Sequence, residues 1–398
     1  MKSFGLNKKH INRIIFLTNS TFNKRDYDRF GIELLKKNGF EVEVWDSTSV
    51  LHPDWVHNYT PPDFLDFKGL RVFDSRKELF KNISILNHDC FVILFSLHSY
   101  SFFPLHRALT KSNANYGITL MNILPSEATQ EKLKNFWQNL MAKNGKVDII
   151  FKTLLKVILP KLLKIKPAKF VFVGGKKSLT KNYLINETTD TVWAHALDYD
   201  LYLKERKKKI KLRNTAIFLD EYVPFHPHFW IGSGRIRKLD PEKYYELLND
   251  FFDVVEGELG LKVIIAAHPI SRYGEHPDYF NGRKWYRGKT AELVNQSRLV
   301  IAHNSTSLSF ASLFNKPVIF VTDQDQDKIF QIGPSIKRAA KLYGKKPVFL
   351  DNVTMVNWHD EMRINKGLYE KYVEDYIKTK NSPDIPFWQI VADRLKNT

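Results

Sequence analysis

Two polar clusters follow apolar segments of the sequence, and their residue types could bind an anion. The apolar run 262–267 ends abruptly at His268-Pro269, and the run 297–302 ends at the polar residues 303–307. Both runs are short and rich in β-branched residues, which is typical of buried parallel strands. The carboxyl ends of parallel strands lie at one edge of a sheet, where α/β proteins bind their ligands. We therefore expect the two clusters to face the same crevice.

The second cluster has the groups that hold phosphate in many proteins. Hydroxyl side chains and free backbone N–H groups occur where a helix over 308–314 is predicted to begin, and both bind anions. The candidate ligands are Asn304, Ser305, Thr306 and Ser307, with His268 as a further hydrogen-bond donor. Ser305 or Ser307 could instead only cap the helix, which is a common role of serine. The sequence leaves both roles open.

Strand and helix signals alternate along the chain. A strand at 13–18, a helix with apolar residues spaced over 27–35 and a strand at 40–45 open it. This alternation predicts an α/β fold built on parallel sheets. The chain of 398 residues is long enough for two domains of ordinary size. The opening unit has no GxGxxG segment, so a dinucleotide cofactor is not expected.

Further strands are predicted at 70–73, 90–95, 115–120, 169–173, 191–194, 215–219 and 317–321, and further helices at 103–112 and 241–259.

A second group of residues that could do chemistry follows a strand in the first half. His195, Asp198 and Asp200 come directly after the strand 191–194. A histidine and two carboxylates at a strand end suit a general base or a site that orients an acceptor. They also suit a surface turn with solvated charges.

Two acidic residues end the first predicted strand of the second half. The strand 215–219 delivers Asp220 and Glu221 to the crevice side of the sheet. His226 and His228 follow, but without a cysteine or an HExxH segment they form a poor ligand set. No metal is expected.

The formal net charge of +18 calls for an anionic partner. Lys and Arg are dispersed, and no zinc-finger, RNP or helix-turn-helix signature accompanies them, so nucleic acid is not expected. Anionic membrane and anionic substrate remain as partners. A basic amphipathic helix is predicted at 147–166, with an apolar stripe flanked by lysines. This helix can lie on an anionic bilayer or pack on its own sheet with the lysines in water.

The predicted location is cytoplasmic, peripheral on the inner face of the membrane if the basic helix binds lipid. The first nine residues contain no apolar segment, so no secretion signal is expected, and no run of about twenty uncharged apolar residues occurs. Cys90 is the single cysteine, which excludes a disulfide framework.

The strand ending in His268-Pro269, followed by a strand ending in a Ser/Thr cluster and a helix of small residues, resembles the C-terminal domain of GT-B glycosyltransferases. The likeness is to the bacterial enzymes that use CMP-activated acidic sugars, including sialyl-, polysialyl- and capsule-type transferases. It covers roughly residues 214 to 350. The resemblance implies that His268, Pro269 and Ser305 to Ser307 hold the nucleotide phosphate. It matches Asp220-Glu221 to the acidic motif of those enzymes, although the glycine of that motif is absent here.

The same resemblance implies an α/β fold of two Rossmann-like domains facing across a cleft. The basic run 204–213 is the expected linker. It divides the chain into an acceptor-side domain, 1–210, a nucleotide-sugar-binding domain, 211–380, and a C-terminal helix within 381–398 that crosses back. In this fold the helix after the loop 271–289 faces the nucleotide. Thr290 and Glu292 are therefore candidates for hydroxyl or ribose contacts.

The resemblance implies transfer of a sialic, pseudaminic, legionaminic or deoxyoctulosonate-type sugar from a CMP-sugar to a surface glycan or its lipid-linked precursor. Asp220 or Glu221, or else Asp198, would take the acceptor proton. Two alternatives stay open. The first is a UDP-sugar transferase or sugar-nucleotide 2-epimerase. The second is a non-enzymatic subunit of glycan assembly that binds membrane or polyanion.

Overall fold

The computed structural model describes residues 11–53, 63–95, 102–121, 158–226, 239–330, 332–353 and 356–398. Within these ranges the strands form two sheets. The first contains β1 (Arg13–Thr18), β2 (Glu41–Asp46), β3 (Leu70–Val72), β4 (Cys90–Phe95), β5 (Asn115–Leu120), β6 (Phe170–Val173) and β7 (Asp190–Trp193). The second contains β8 (Thr215–Leu219), β9 (Lys262–Ala267), β10 (Trp285–Arg287), β11 (Leu299–Ala302), β12 (Val318–Thr322) and β13 (Val348–Phe349).

Helices connect and cover the strands. Those of the first half are α1 (Lys24–Arg29), α2 (Ile32–Lys37), α3 (Thr48–Leu51), α4 (Arg76–Ser84) and α5 (Phe103–Lys111). They are followed by α6 (Leu197–Glu205), α7 (Pro241–Leu259), α8 (Thr290–Gln296), α9 (Leu308–Leu313), α10 (Gln324–Phe330), α11 (Gly333–Leu342), α12 (Trp358–Glu361), α13 (Lys366–Tyr372) and α14 (Phe387–Lys396). The predicted basic helix 147–166 lies largely outside the described residues. At its described end, Leu159 and Leu163 pack against the core of the first sheet.

Both sheets are parallel and follow the order of a Rossmann fold. The first runs β3-β2-β1-β4-β5-β6-β7 and the second β10-β9-β8-β11-β12-β13. Each sheet therefore has a switch point, where the strand order reverses: between β1 and β4 in the first, and between β8 and β11 in the second. The chain forms two Rossmann-like α/β domains that face each other across a cleft, which is the GT-B arrangement. The predicted fold class is confirmed.

The strands that build the cleft edge are buried along most of their length. Every residue of β8, β11 and β12 is buried, and β9 is buried after Lys262. Continuous apolar runs give such strands because helices cover both faces of a parallel sheet. The predicted bounds of β9 and α7 agree with the structure. Asp240 caps α7 by accepting the Glu242 N–H at 3.1 Å, and Gly260 ends it in the left-handed conformation.

Two chain segments join the domains. Helix α6 packs Tyr199 and Leu203 into the core of the second sheet, so the chain reaches the second domain ahead of the basic run 204–213. Helix α14 returns to the first domain, where Phe387 and Trp388 enter the core of the first sheet.

The prediction of a single helix over 27–35 is wrong. The helix is broken at Gly31, which has a φ of 59° and lies against Trp388.

Candidate functional site

Most of the site residues proposed from the sequence line one cavity of about 820 Å³ between the domains. The cavity lies at the carboxyl ends of β8, β9 and β11, at the switch point of the second sheet, where ligands of this fold class bind. Asp198, Asp220, Glu221, His268, Pro269, Glu292, Asn304, Ser305, Thr306 and Ser307 contribute to its wall.

Asp220 organises the turn after β9. Its carboxylate is buried and accepts the backbone N–H of Tyr222 at 2.8 Å and of His268 at 3.0 Å. Burial raises the pKa of Asp220 to about 6, although the two backbone N–H groups act in the opposite direction. The carboxylate therefore fixes the position of the His-Pro segment through the backbone N–H of His268.

Glu221 presents the less constrained carboxylate. It accepts one long hydrogen bond, from the backbone N–H of Asn304 at 3.4 Å. Burial raises the pKa of Glu221 to about 7, and the neighbouring Asp220 charge raises it further. A carboxylate that gains and loses a proton near neutral pH in a cavity is suited to general base catalysis.

His268 is held as a neutral donor. Burial lowers its pKa well below the usual range, and the nearby His226 and Arg25 lower it further. The backbone N–H of Ile270 lies 3.4 Å from Nδ1 of His268, and an N–H can only donate, so Nδ1 is the acceptor. In a neutral imidazole the proton is then on Nε2. His268 thus offers an N–H group to a ligand in the cavity.

The hydroxyl cluster offers donor groups to a ligand. The Ser305 hydroxyl accepts the Ser307 N–H at 3.2 Å in the turn ahead of α9, and the Ser307 side chain makes no capping hydrogen bond to that helix. The O–H of Ser305 remains a donor, because accepting a hydrogen bond does not use the hydroxyl proton. The amide oxygen of Asn304 is buried and accepts no hydrogen bond from the described residues. Such an orphan acceptor suits a ligand hydroxyl or amine.

His303 follows the same strand but is part of the core. It is fully buried, with Nδ1 at 2.7 Å from the Val321 carbonyl and Nε2 at 3.0 Å from the Tyr244 hydroxyl. Burial lowers the pKa of His303 to about 4. Both ring nitrogens have protein partners, so His303 fixes the strand end and takes no part in binding.

Asp198 joins the two domains. One carboxylate oxygen accepts from Arg29 at 2.8 Å, and the other accepts from the Ser309 hydroxyl at 2.7 Å. Arg29 belongs to the first domain and Ser309 to the second, so this buried carboxylate holds their relative position. This engagement favours a positioning role for Asp198 over proton transfer.

The predicted cluster of His195, Asp198 and Asp200 is not assembled at the cavity. His195 is fully buried and its ring contacts the carbonyls of Ala196 and Ile385 at 3.0 and 2.9 Å. Asp200 accepts the Phe387 N–H at 3.0 Å, at the start of α14. Only Asp198 of the three lines the cavity. His195 and Asp200 do not reach the cavity because the segment that begins α14 covers the end of β7.

The sequence reasoning missed the first domain's wall of the cavity. Arg25, Asp28 and Arg29 of α1 face the second domain there. The signal was available, because a charged helix follows the polar turn at the end of β1. The described residues contain no group of three or more His, Cys, Asp or Glu that could hold a metal ion. Nor do they include a helix long and apolar enough to cross a membrane.

The fold and cavity define a two-domain protein of the GT-B class with a cavity in its cleft. No protein-family model matches the sequence, and no curated protein matches it. Among solved structures, the chain is similar to the wall teichoic acid polymerase TagF, with 10% identity and a TM-score of 0.48 over 98% of this chain and 90% of that chain.

Two further structures are similar at the same level. The UDP complex of MnaA from S. aureus has 12% identity and a TM-score of 0.44 over 95% of this chain and 94% of that chain. The UDP-GlcNAc 2-epimerase of Methanocaldococcus jannaschii, in complex with UDP-GlcNAc and UDP, has 10% identity and a TM-score of 0.42 over 96% of this chain and 98% of that chain. At such identities and scores, the activity of this chain has to be argued from its own site.

Proposed function

We propose that the protein is a glycosyltransferase that moves an acidic sugar from a CMP-activated donor to a glycan or a lipid-linked glycan precursor. One observation carries the proposal. Hydrogen-bond donors of the kind that bind phosphate line the same cavity as Glu221, whose pKa is raised to about 7. These donors belong to His268 and Ser305 to Ser307. The CMP donor is supported by the motif resemblance of these residues. The net charge of +18 favours anionic substrates of this kind.

The donor side of the reaction uses hydrogen bonds to phosphate. The Nε2–H of His268 and the hydroxyls of Ser305, Thr306 and Ser307 would bind the phosphate oxygens of the CMP-sugar. When the bond between the anomeric carbon and the phosphate oxygen breaks, its electron pair stays on the phosphate and adds a negative charge. Donors placed before the reaction stabilise this charge without reorganising.

The acceptor side needs a base. The acceptor hydroxyl oxygen forms the new bond to the anomeric carbon, and its proton passes to the Glu221 carboxylate. Asp220 would act as a positioning residue, because both of its oxygens accept backbone N–H groups. Glu292, on the cavity wall in α8, would contact the ribose hydroxyls.

A second candidate is a sugar-nucleotide 2-epimerase or a transferase that uses a UDP-sugar. The observation that favours it is the pair of carboxyl groups Asp220 and Glu221, with pKa values of about 6 and 7, in one cavity. Two such groups can serve as acid and base at neutral pH. This candidate requires UDP in place of CMP.

The test is the melting temperature in the presence of CMP, CDP, UDP or GDP. A nucleotide at one hundred times its Kd adds about 2.7 kcal/mol to stability, which raises the melting temperature measurably. We expect CMP to stabilise the protein and His268→Ala to abolish the shift. The matched control is His359→Ala, since His359 is exposed and does not line the cavity.

Turnover is tested next, as CMP released from CMP-N-acetylneuraminate in the presence of candidate acceptors. Stabilisation by UDP alone would replace the CMP donor with the second candidate. Absence of any nucleotide effect would contradict both and favour a binding subunit of glycan assembly.

A further inference from the structure

A second, smaller cavity of about 340 Å³ opens beside the main one. Ser271, Arg272, Tyr273, Gly274, Glu275, Trp285 and Arg287 form its wall. Ser271 lies two positions after Pro269, and Arg287 directly precedes Gly288, and both Pro269 and Gly288 line the main cavity. The two cavities are therefore joined by two short stretches of chain.

Trp285 supplies an aromatic platform. It lies on the edge strand β10 and is 39% exposed, and its ring is 6.0 Å from that of the buried Tyr273. A large exposed indole on a cavity wall is a contact surface for a ligand with an apolar face. The C–H face of a sugar ring is such a surface.

Ser271 carries a hydroxyl that is buried without a partner among the described residues. The residue is 1% exposed, its Oγ makes no hydrogen bond there, and it lines the cavity. Buried hydroxyls are normally paired, so an orphan one beside a cavity indicates a ligand group or a bound water. A sugar hydroxyl would satisfy it.

Each of the two arginines of the cavity pairs with a carboxylate that a ligand can replace. Arg272 pairs with Glu275 at 3.1 Å, and Arg287 pairs with Asp63 of the first domain at 3.3 Å while its other terminal nitrogen donates to the Ser271 carbonyl at 2.9 Å. Glu275 is 64% exposed and Asp63 49% exposed, and ion pairs this exposed contribute little. A carboxylate on the bound sugar could form bidentate hydrogen bonds with either guanidinium instead.

We propose that this cavity binds one carboxylated sugar unit of the acceptor glycan, stacked on Trp285 and held by Arg272, Arg287 and Ser271. The inference rests on the proposed function, since it places the acceptor chain next to the donor cavity. A unit bound here lies beside the His268-Pro269 turn, so the end of the chain can reach the reaction cavity. Because Arg287 also contacts Asp63, binding at this cavity engages the contact between the two domains.

The test uses isothermal titration of the full chain, saturated with CMP, against two probes. One is an α2,8-linked trimer of N-acetylneuraminic acid, and the other is the neutral trimer of N-acetylglucosamine. We expect the acidic trimer to bind at least about tenfold more tightly than the neutral one. Trp285→Ala should weaken its binding by about tenfold or more.

A second variant fills the cavity without touching its charges. Nothing lies within 4 Å of the position that a β-carbon at Gly274 would take, so Gly274→Leu has room and should also block the site. The matched control is Trp193→Ala, because Trp193 is 38% exposed, lies on the edge strand β7 and lines neither cavity. It should bind the acidic trimer as the parent does.

Two results would overturn the proposal: no binding of the acidic trimer, or binding that is unchanged in both Trp285→Ala and Gly274→Leu. Equal affinity for the neutral trimer would show that the carboxylate of the sugar plays no part in binding at this cavity. The melting shift caused by CMP is measured on the same variants and should be retained in all of them. Loss of trimer binding in the cavity variants with no CMP shift in the parent would support the subsite and contradict the proposed function.

Discussion

The Asp220 carboxylate accepts the backbone N–H of His268 at 3.0 Å, and this hydrogen bond joins the end of β8 to the turn that follows β9. The contact is local to neighbouring parallel strands but remote in sequence. It makes the acidic pair part of the same unit as the proposed phosphate donor. The position of the His268 ring therefore depends on a residue that need not touch substrate.

Asp220→Ala should weaken both folding and nucleotide binding. It leaves the N–H groups of His268 and Tyr222 without their acceptor, and one unsatisfied buried group costs about 1–3 kcal/mol. Asp220→Asn keeps one acceptor oxygen, so its loss should be smaller. Urea unfolding at pH 8 and the CMP melting shift measure the two effects. An Asp220→Ala variant as stable as the parent would show that these hydrogen bonds contribute nothing.

Glu221→Gln should remove the ionisation that controls activity. The base works as a carboxylate, and its pKa is raised to about 7, so kcat/KM of the parent should rise as the pH rises through about 7 and then level off. Glu221→Gln should lower kcat by about a hundredfold or more and remove this rise. The measurement is a pH profile of CMP release from the donor.

The comparison variant for Glu221 is Glu292→Gln, which changes another carboxylate on the same cavity wall. It should raise the KM for the donor while the rise through about pH 7 persists. If Glu292→Gln abolishes the rise, or Glu221→Gln retains it, Glu221 is not the base.

Much of the cleft edge is predictable from sequence because its determinants are local. A continuous apolar run gives β9, while Asp240, Pro241 and Gly260 mark the ends of α7. The roles of His268 and His303 are not predictable in this way. Both follow buried strands, and what separates them is a tyrosine of α7, Tyr244, that reaches one ring and not the other. Contacts between the domains, such as Arg29 with Asp198, require the arrangement of both sheets.

His303 should make the protein sensitive to acid. Its pKa is about 4 in the folded state, against about 6.5 in an unfolded chain, so the unfolded state binds a proton first as the pH falls. Stability from this group is complete above pH 6.5 and is lost as the pH falls to about 4. The full loss is about 3 kcal/mol. His303→Asn has no such proton to bind.

Urea unfolding of the parent and of His303→Asn at pH 7 and pH 4.5 tests this difference. The variant should be less stable at pH 7, because it loses the Tyr244 contact, but its stability should fall less between the two values. An equal fall in both proteins would show that other groups control the acid sensitivity.

Gly31→Ala should destabilise the protein more than an alanine at another left-handed glycine. Gly31 has a φ of 59°, and a β-carbon there would overlap the buried side chain of Trp388 in α14. Gly260 has a φ of 60° and open space around its β-carbon position, so Gly260→Ala measures the conformational cost alone. That cost is about 1–2 kcal/mol, and overpacking at Gly31 adds about 1–3 kcal/mol. Urea unfolding midpoints of the two variants, followed by tryptophan fluorescence, give the difference. Equal losses would mean that α14 moves away from α2 without cost, and that Trp388 does not fix the break between α1 and α2.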